Sequence, residues 1–343
     1  MKTIVNLICL NSEPELPTLL ESLKGKIDGL VAVDGGSTDN TVNILREWGV
    51  ANEVQTIVKT NKWPDDFALQ RNLCLNVTRA EFGMASPEND IWVLMIDSDD
   101  TLTAFDQAYL AKATATCDVT GLLCHMNNGI TDSDFQVCQF FRLTPDAMWK
   151  NAIHEYIVSK GHKGLPPSQI PDGNGGMVGT LRIKRGRSAQ HDRDPERNTR
   201  IGRKLVEAEP DNTRARFYLS RDLLECEQIP TQQRRAEAEG HLRAYLAMNA
   251  AFPAQDRYAR LLLVRLLCDT GRVAEARRLL LDALESDPDN RSGYEALSRI
   301  SEGKESAVWF RLSAAAEGAC ILPYGSRLPI AKGAPISAPQ HQS

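Results

Sequence analysis

The strongest constraint on the fold is a regular alternation of short apolar runs and helical stretches over residues 1–193. The apolar runs are rich in Val, Ile and Leu at consecutive positions, which is typical of strands buried on both faces. The predicted strands are TIVNLICL, GLVAVDGG, EVQTIVK, DIWVLMID and VTGLLCHM, and the helices between them are LPTLLESLK, NTVNILREWG, DFALQRNLCLNV and AFDQAYLAKATA. This order predicts an α/β domain with a mostly parallel sheet, whose ligands bind at the carboxyl ends of the strands.

The pattern becomes purely helical over residues 194–320, which we predict to form a separate all-α domain. Apolar residues recur there every three or four positions, and short polar turns separate the helices. The 34 residues from Arg257 to Asn290 resemble one tetratricopeptide unit in the placement of Gly271, Ala276, Leu280, Ala283 and Pro288. Residues 321–343 are rich in Pro, Gly and Ser and are predicted to be a flexible tail.

Composition and charge narrow the class of protein. With 42% hydrophobic and 25% charged residues the chain is expected to be globular, and its net charge of -5 gives no overall reason to expect nucleic acid or an anionic membrane as partner. The eight cysteines occur singly without a CxxC pair, which favours buried free thiols and a cytoplasmic location. No uncharged apolar run approaches 18 residues, so we expect no transmembrane segment.

Two of the predicted strands end in aspartate. VAVDGGSTDNT places Asp34 at a strand end before a glycine turn, and VLMIDSDD places Asp97, Asp99 and Asp100 after a buried strand. Carboxylates this close repel one another unless a cation or a helix N-terminus offsets their charge. The second motif therefore predicts a Mg²⁺ or Mn²⁺ site, whereas the structural alternative is a solvated turn that caps the helix AFDQAYLAKATA.

The ordered motifs DGGSTDNT, DFALQRNLCL and DSDD resemble the nucleotide-sugar-binding half of the family 2 glycosyltransferases. The resemblance covers residues 3 to about 105 and implies the GT-A fold. It also implies an inverting hexosyltransferase that uses a nucleotide sugar, most simply a UDP-hexose, together with Mn²⁺ or Mg²⁺. The implied acceptor is a saccharide, a peptide or a protein.

The resemblance assigns the nucleotide site residue by residue. Asn11 matches a residue beside the nucleotide, and Asp34 and Asp39 match the carboxylates that contact the base and the ribose. Arg71, in the QRN triplet, matches a basic residue that reaches the nucleotide or its phosphates, and a guanidinium suits a diphosphate because it donates in a fork. Asp97, at the end of its strand, is the last residue that the resemblance assigns to the nucleotide site.

The resemblance likewise implies the metal ligands and the catalytic base. Asp97 and Asp99 match the metal-binding pair, and His191 matches a late histidine that completes the cation or diphosphate site. Glu155, in MWKNAIHEYIV, is the predicted base that deprotonates the acceptor. If that segment is one strand, His154 and Glu155 point to opposite faces and only one of them reaches the site.

Three other functions compete with this interpretation. A nucleotidyltransferase would need a glycine-rich phosphate loop near the N-terminus, which the sequence lacks. A catalytically inactive scaffold would hold a partner on its repeats while its N-terminal domain binds a nucleotide sugar without turnover. The repeats could also form a homodimer or present an acceptor. The sequence support for a nucleic-acid-modifying transferase is the basic segment 181–204, which contains nine Lys and Arg but only three Asp and Glu.

Residues 161–177 are predicted to be a loop, which either closes over the donor and the acceptor or is a plain flexible connector.

Overall fold

The computed structural model describes residues 1–86, 88–108, 110–111, 121–128, 133–160, 164–165, 181–186, 193–225, 231–248 and 253–316. For residues 121–128, 133–137 and 164–165 it describes the backbone alone. His191, the C-terminal residues 321–343 and most of the segment 161–177 lie outside the described residues. The chain divides into two compact units, Met1–Ile201 and Gly202–Ser343.

The first unit alternates strands and helices as the sequence predicts. Its strands are β1 (Lys2–Cys9), β2 (Gly29–Asp34), β3 (Gln55–Thr60), β4 (Ile91–Asp97), β5 (Thr101–Ala104), β6 (Gly121–Asn128), β7 (Ser133–Arg142), β8 (Met148–Lys150), β9 (Tyr156–Val158), β10 (Gly164–Leu165) and β11 (Arg182–Arg185). Its helices are α1 (Leu16–Leu23), α2 (Thr41–Ala51) and α3 (Phe67–Phe82). Helix α4 (Arg197–Ala208) contains the division between the units, eight residues beyond the predicted boundary after residue 193.

Nine of the described strands form one mixed sheet in the order β3-β2-β1-β4-β7-β6-β11-β5, with β10 beside β6. Strand β1 pairs in parallel with both β2 and β4, and β2 pairs in parallel with β3. Strand β7 is antiparallel to its neighbours β4 and β6. The predicted mostly parallel sheet is therefore confirmed, and β8 and β9 form a separate antiparallel pair.

Both faces of the sheet are covered, because alternate residues of the central strands enter different cores. Val5 and Leu7 of β1 pack with α1, whereas Ile4 and Ile8 pack with α3. All of these strand residues are at most 9% exposed. The continuous apolar runs of the sequence therefore reflect burial on both sides.

The structure corrects one expectation about the segment after β4. Residues Thr101–Ala104 form strand β5, which pairs antiparallel with β11 through Leu102 opposite Ile183. Both of these side chains are buried. Asp99 and Asp100 therefore precede a strand, and the structural alternative in which they cap a helix is wrong. A short polar TLTA segment becomes a strand only because a distant partner pairs with it.

The second unit consists of helices in its described part. After α4 come α5 (Thr213–Glu225), α6 (Gln232–Ala247), α7 (Pro253–Asp269), α8 (Val273–Ser286), α9 (Arg291–Ile300) and α10 (Gly303–Ala315). The predicted tetratricopeptide unit corresponds to α7 and α8, with Gly271 at a φ of +76° between them. Ala276 and Leu280 of α8 are buried against the core of this unit. Among the described helices, none is both long enough and apolar enough to cross a membrane.

Candidate active site

The candidate site lies at the carboxyl ends of three adjacent parallel strands. Asp34 ends β2 and Asp97 ends β4, and β1 lies between them with Cys9 opposite Asp34 and Ile8 opposite Asp97. Parallel strands bring their carboxyl ends to the same edge of a sheet, where α/β proteins bind their ligands. The two Asp motifs that are far apart in sequence therefore meet at one edge.

Asp34 organises the first turn of this edge. Its carboxylate, only 1% exposed, accepts hydrogen bonds at 3.1 Å from the backbone N–H groups of Gly36 and Ser37, and another from the Ser37 hydroxyl. Gly36 has a φ of +100°, a conformation that side chains with a Cβ rarely adopt. In this structure the Asp34 carboxylate thus holds the turn, and its predicted contact with a nucleotide stays a prediction.

Asn11 links the loop after β1 to the loop after β2. Its backbone N–H donates to Ser37 Oγ at 2.8 Å, and its Oδ1 accepts from the backbone N–H of Thr38 at 2.8 Å. The φ of Asn11 is 49°, in the left-handed region that asparagine tolerates better than most residues. Asn11 therefore fixes the shape of this edge.

Asp39 joins the same two loops a little further along. Its carboxylate accepts from the backbone N–H groups of Glu13 and Thr41, at 3.1 Å each, and Glu13 in turn accepts from the N–H of Asn40 at 2.9 Å. Burial acts to raise the pKa of Asp39, but these hydrogen bonds outweigh it and hold the pKa below its ordinary value. The structure thus brings Asn11, Asp34 and Asp39 together.

Ser12 connects this pair of loops to the second Asp motif. Its hydroxyl donates to Ser98 Oγ at 2.9 Å, and its backbone N–H donates to Thr41 Oγ1 at 2.8 Å. Ser12 and Ser98 are 2% and 8% exposed, so this contact is shielded from water. The sequence contained no signal for it, because it joins two ordinary serines 86 positions apart.

Arg71 forms the centre of the second cluster. It lies on α3 with its side chain only 4% exposed, its Nη2 donates to Asp97 Oδ1 at 2.9 Å, and its Nε donates to Glu155 Oε1 at 2.6 Å. Its guanidinium also lies 5.3 Å from the centre of the Trp149 ring. Burial would lower the pKa of Arg71, but Asp97 and Glu155 raise it above its ordinary value. The guanidinium therefore stays charged and bridges two carboxylates.

Asn72, the next residue on α3, fixes strand β8 beneath this cluster. Its Oδ1 accepts from the backbone N–H of Trp149 at 2.8 Å, and its Nδ2 donates to the carbonyl of Trp149 at 2.9 Å. One amide side chain thus satisfies both backbone groups of a residue that is 2% exposed.

Replacement of Asn72 by Ala is expected to lower the free energy of unfolding by about 2 kcal/mol, because it leaves a buried N–H and a buried carbonyl without partners. Denaturant unfolding measures this change. Asn76→Ala, at an exposed position one turn further along α3, is the matched control and should change stability by less than about 0.5 kcal/mol. Equal effects of the two substitutions would contradict the assigned role.

Glu155 lies in the connection between β8 and β9 and not inside a strand. Asn151 and His154 have φ values of 69° and 52°, so the chain turns sharply twice before Tyr156 begins β9. The alternative in which His154 and Glu155 project from opposite faces of one strand is therefore wrong. Glu155 reaches the site because this turn directs it toward Arg71.

Arg185, which the sequence interpretation did not single out, also binds the second Asp motif. Its Nη2 donates to Asp97 Oδ2 at 3.0 Å, and its Nε lies 3.8 Å from Asp100 Oδ1. Each oxygen of Asp97 therefore faces a different guanidinium. The only sequence feature that pointed to a role for Arg185 was its position in the basic segment 181–204.

The two carboxylates have opposite pKa shifts. Burial acts to raise the pKa of Asp97, but the charges of Arg71 and Arg185 lower it to about 2. Burial raises the pKa of Asp100 to about 8, and the neighbouring negative charge of Asp97 adds to this effect while Arg185 opposes it. Asp100 is only 3% exposed, and its Oδ1 has no hydrogen-bond partner among the described residues.

These residues fit a divalent cation whose coordination shell is completed by water and substrate oxygen atoms. No group of three or more His, Cys, Asp or Glu is already arranged around a common point in the part of the chain that the structure describes. Mg²⁺, however, is usually bound by one or two carboxylates together with water and substrate phosphates. Asp97 and Asp99 supply hard oxygen atoms, and the unsatisfied Oδ1 of Asp100 is a further acceptor.

Parts of the chain are similar to known proteins. Residues 5–133 match the model of the family described as Glycosyl transferase family 2, and residues 231–300 match a tetratricopeptide repeat model. The SPbeta prophage-derived glycosyltransferase SunS of Bacillus subtilis (strain 168) is 22% identical over 227 residues, and the glycosyltransferase SunS of Bacillus phage SPbeta matches equally well. Each match covers 63% of this chain and 48% of the relative, so the chain spans about half the length of these curated relatives.

Among solved structures, S. aureus TarS is similar with a TM-score of 0.38 and 17% identity over 82% of this chain and 54% of that chain. A structure of S. aureus TarS 1-349 in complex with UDP has a TM-score of 0.33 and 14% identity over 92% of this chain and 91% of that chain. Over residues 5–133 the chain is therefore similar to the family 2 glycosyltransferases, and over residues 231–300 it is similar to tetratricopeptide repeats.

Proposed function

We propose that this chain is a metal-dependent, inverting glycosyltransferase that moves a hexose from a nucleotide sugar to a saccharide, peptide or protein acceptor. The donor nucleotide in this proposal is UDP. The observation that carries the proposal is the buried bridge from Asp97 through Arg71 to Glu155. It lies at the ligand-binding edge of a family 2 glycosyltransferase domain.

The donor in this proposal extends along the carboxyl edge of the sheet. The loops joined by Asn11 and Asp39 hold the base and the ribose, and Asp34 keeps their shape through its turn. The diphosphate lies toward Asp97. The Ser12–Ser98 hydrogen bond fixes the distance between these two regions, so the sugar is held in one position relative to the attacking group.

The leaving diphosphate needs positive charge as the glycosidic bond breaks. Asp97 and Asp99 would hold a Mn²⁺ or Mg²⁺, with His191 as a further candidate ligand, and the ion would supply positive charge to the departing diphosphate. Arg71 keeps Asp97 ionised and oriented through its bond to Oδ1. Since Arg71 is almost completely buried, it acts on the carboxylates and does not need to move.

Glu155 is the proposed general base. Its Oε1 accepts from Arg71, and its Oε2, which has no hydrogen bond to the described residues, would take the acceptor's proton. The acceptor then attacks the anomeric carbon from the side opposite the diphosphate, which inverts the configuration. Arg71 thus holds the base and the metal-binding carboxylate in one fixed arrangement.

We also propose that the enzyme works in the cytoplasm. Cys9, Cys74 and Cys268 are free thiols in the structure, as expected for a reducing compartment. Pairing of two helical units in a homodimer is a further prediction, which analytical ultracentrifugation would test.

The test of the function is calorimetry with UDP-, GDP-, CMP- and dTDP-sugars, each with and without Mn²⁺. One sugar nucleotide is expected to bind only when the metal is present, and Asp99→Asn should abolish that binding. The matched control is Asp90→Asn, because Asp90 immediately precedes the opposite end of β4, where it pairs with Arg142. This control should bind the donor as the natural protein does.

Two results would overturn the proposal. If no nucleotide sugar binds under either condition, the N-terminal unit has lost its donor site and the repeat-containing scaffold becomes the better interpretation. If binding is unchanged by both Mn²⁺ and Asp99→Asn, the donor is held without the proposed metal. Slow hydrolysis of the bound donor, measured as release of the free nucleotide, would exclude the scaffold directly.

A further inference from the structure

The two guanidiniums that bind Asp97 differ in their freedom to move. The Arg71 side chain is 4% exposed and has a second carboxylate partner in Glu155. The Arg185 side chain is 44% exposed, lies at the end of β11 and contacts only the Asp97–Asp100 turn among its described ion pairs. Arg71 is therefore a fixed part of the site, whereas Arg185 can leave its partners by rotating its side chain into solvent.

The backbone beside Arg185 is fixed against this same turn. A Cβ added to Gly186 would lie 1.8 Å from the backbone oxygen of Asp99, a distance that no real side chain could occupy. Close backbone approach of this kind requires glycine. The end of β11 thus lies against the backbone of this turn while the Arg185 side chain is 44% exposed, so a change of side-chain rotamer would suffice to separate the arginine from the carboxylates.

Arg185 occupies the carboxylate oxygens that a divalent cation would need. Its Nη2 binds Asp97 Oδ2, and its Nε is the cation nearest to the unsatisfied Oδ1 of Asp100 among the described ion pairs. Arg71 binds Oδ1 of Asp97 and Arg185 binds Oδ2, so a cation bound to this carboxylate would lie close to a guanidinium, and the positive charges would repel. Binding of a metal ion would therefore favour release of Arg185, the more exposed of the two guanidiniums.

We propose that Arg185 is a displaceable counter-ion. In the free protein it neutralises the Asp97–Asp100 turn, and when the metal enters it moves to the diphosphate of the donor. The chemistry suits this exchange, because a guanidinium binds carboxylate and phosphate oxygens with the same planar fork. This inference rests on the proposed function, since it concerns the metal and the diphosphate of that site.

The test uses two titrations of Arg185→Gln. Binding of Mn²⁺ alone is measured from the electron paramagnetic resonance signal of free Mn²⁺, and binding of UDP at saturating Mn²⁺ is measured by calorimetry. Removal of the competing charge should tighten Mn²⁺ binding by about tenfold. Removal of the diphosphate contact should weaken UDP binding by about tenfold or more. The matched control is Lys184→Gln, which removes one positive charge from an exposed neighbour on the same strand and should leave both constants within about twofold.

The opposite signs of the two shifts separate this role from a structural one. If Arg185 merely stabilises the turn, its loss weakens both Mn²⁺ and UDP binding, and the inference is overturned. Two unchanged constants overturn it as well, while the proposed function stands because the natural protein still binds metal and nucleotide. If the natural protein binds neither Mn²⁺ nor UDP, the proposed function fails and the inference fails with it.

Discussion

Replacement of Arg71 by Ala is expected to cost about 3–5 kcal/mol of folding stability, because in a largely buried environment it removes the cation that Glu155 binds and leaves Asp97 with Arg185 alone. Thermal or urea unfolding would measure this loss. We expect nucleotide binding to disappear at the same time, since the two carboxylates would repel one another and separate.

Arg71→Lys distinguishes the charge of this residue from its geometry. Lysine keeps the positive charge but presents one ammonium group where Arg71 uses separate Nε and Nη2 donors. Part of the stability should return, while donor binding should remain weakened by about tenfold or more. Full recovery of both properties would show that the fork geometry is unimportant and would remove the main support for the proposed site.

Glu155→Gln is expected to reduce the rate of donor turnover by about 10²–10⁴-fold, the usual contribution of a general base. The substitution keeps the size of the side chain and an oxygen that can accept from Arg71, so donor affinity should change little. Turnover is measured as release of the free nucleotide from the sugar nucleotide identified by calorimetry, and affinity is measured on the same preparation.

Two outcomes would contradict the role of Glu155. A variant with an unchanged rate would show that another group takes the proton. A variant with an unchanged rate constant at saturation but a weaker donor affinity would show that Glu155 only positions Arg71. Only a lower rate constant with near-normal affinity supports the base.

Much of the fold could be predicted because the sequence patterns that indicate its strands and helices lie within short segments. Strands β1, β2 and β4 are continuous apolar runs, and only burial on both faces of a sheet requires such runs. Asp34 and Asp97 could be placed at one edge because parallel strands align their carboxyl ends. The paired helices of the second unit were equally visible, since their apolar residues repeat at helical spacing.

The parts that could not be predicted depend on contacts between distant positions. Arg71 and Glu155 are 84 positions apart, and Arg185 and Asp97 are 88 apart. The sequence motifs identified Arg71 and Asp97 through their resemblance to a family. They contained no information on which arginine would form an ion pair with which carboxylate. Strand β5 was missed for the same reason, because TLTA has no strong strand pattern and is defined by its partner β11.

His191 shows a different limit. The sequence nominates it as a ligand through resemblance alone, and it lies outside the described residues. Its role therefore stays a prediction. His191→Gln tested in the same Mn²⁺ titration as Arg185→Gln would decide it, since loss of a direct ligand weakens metal binding whereas loss of a competing cation strengthens it.

The hydrogen bond between Ser12 and Ser98 has a consequence for how donors are distinguished. It ties the loop of Asn11 to the turn of Asp97 inside a shielded contact, so neither segment can shift alone. If the base and the diphosphate bind to these two segments, then recognition of one end of the donor changes the free energy of binding the other, and this coupling is reciprocal. A nucleotide with the wrong base would lose affinity for the cation as well as for the base pocket. Selectivity for the donor would then depend on the coupling between the two loops and not on either loop alone.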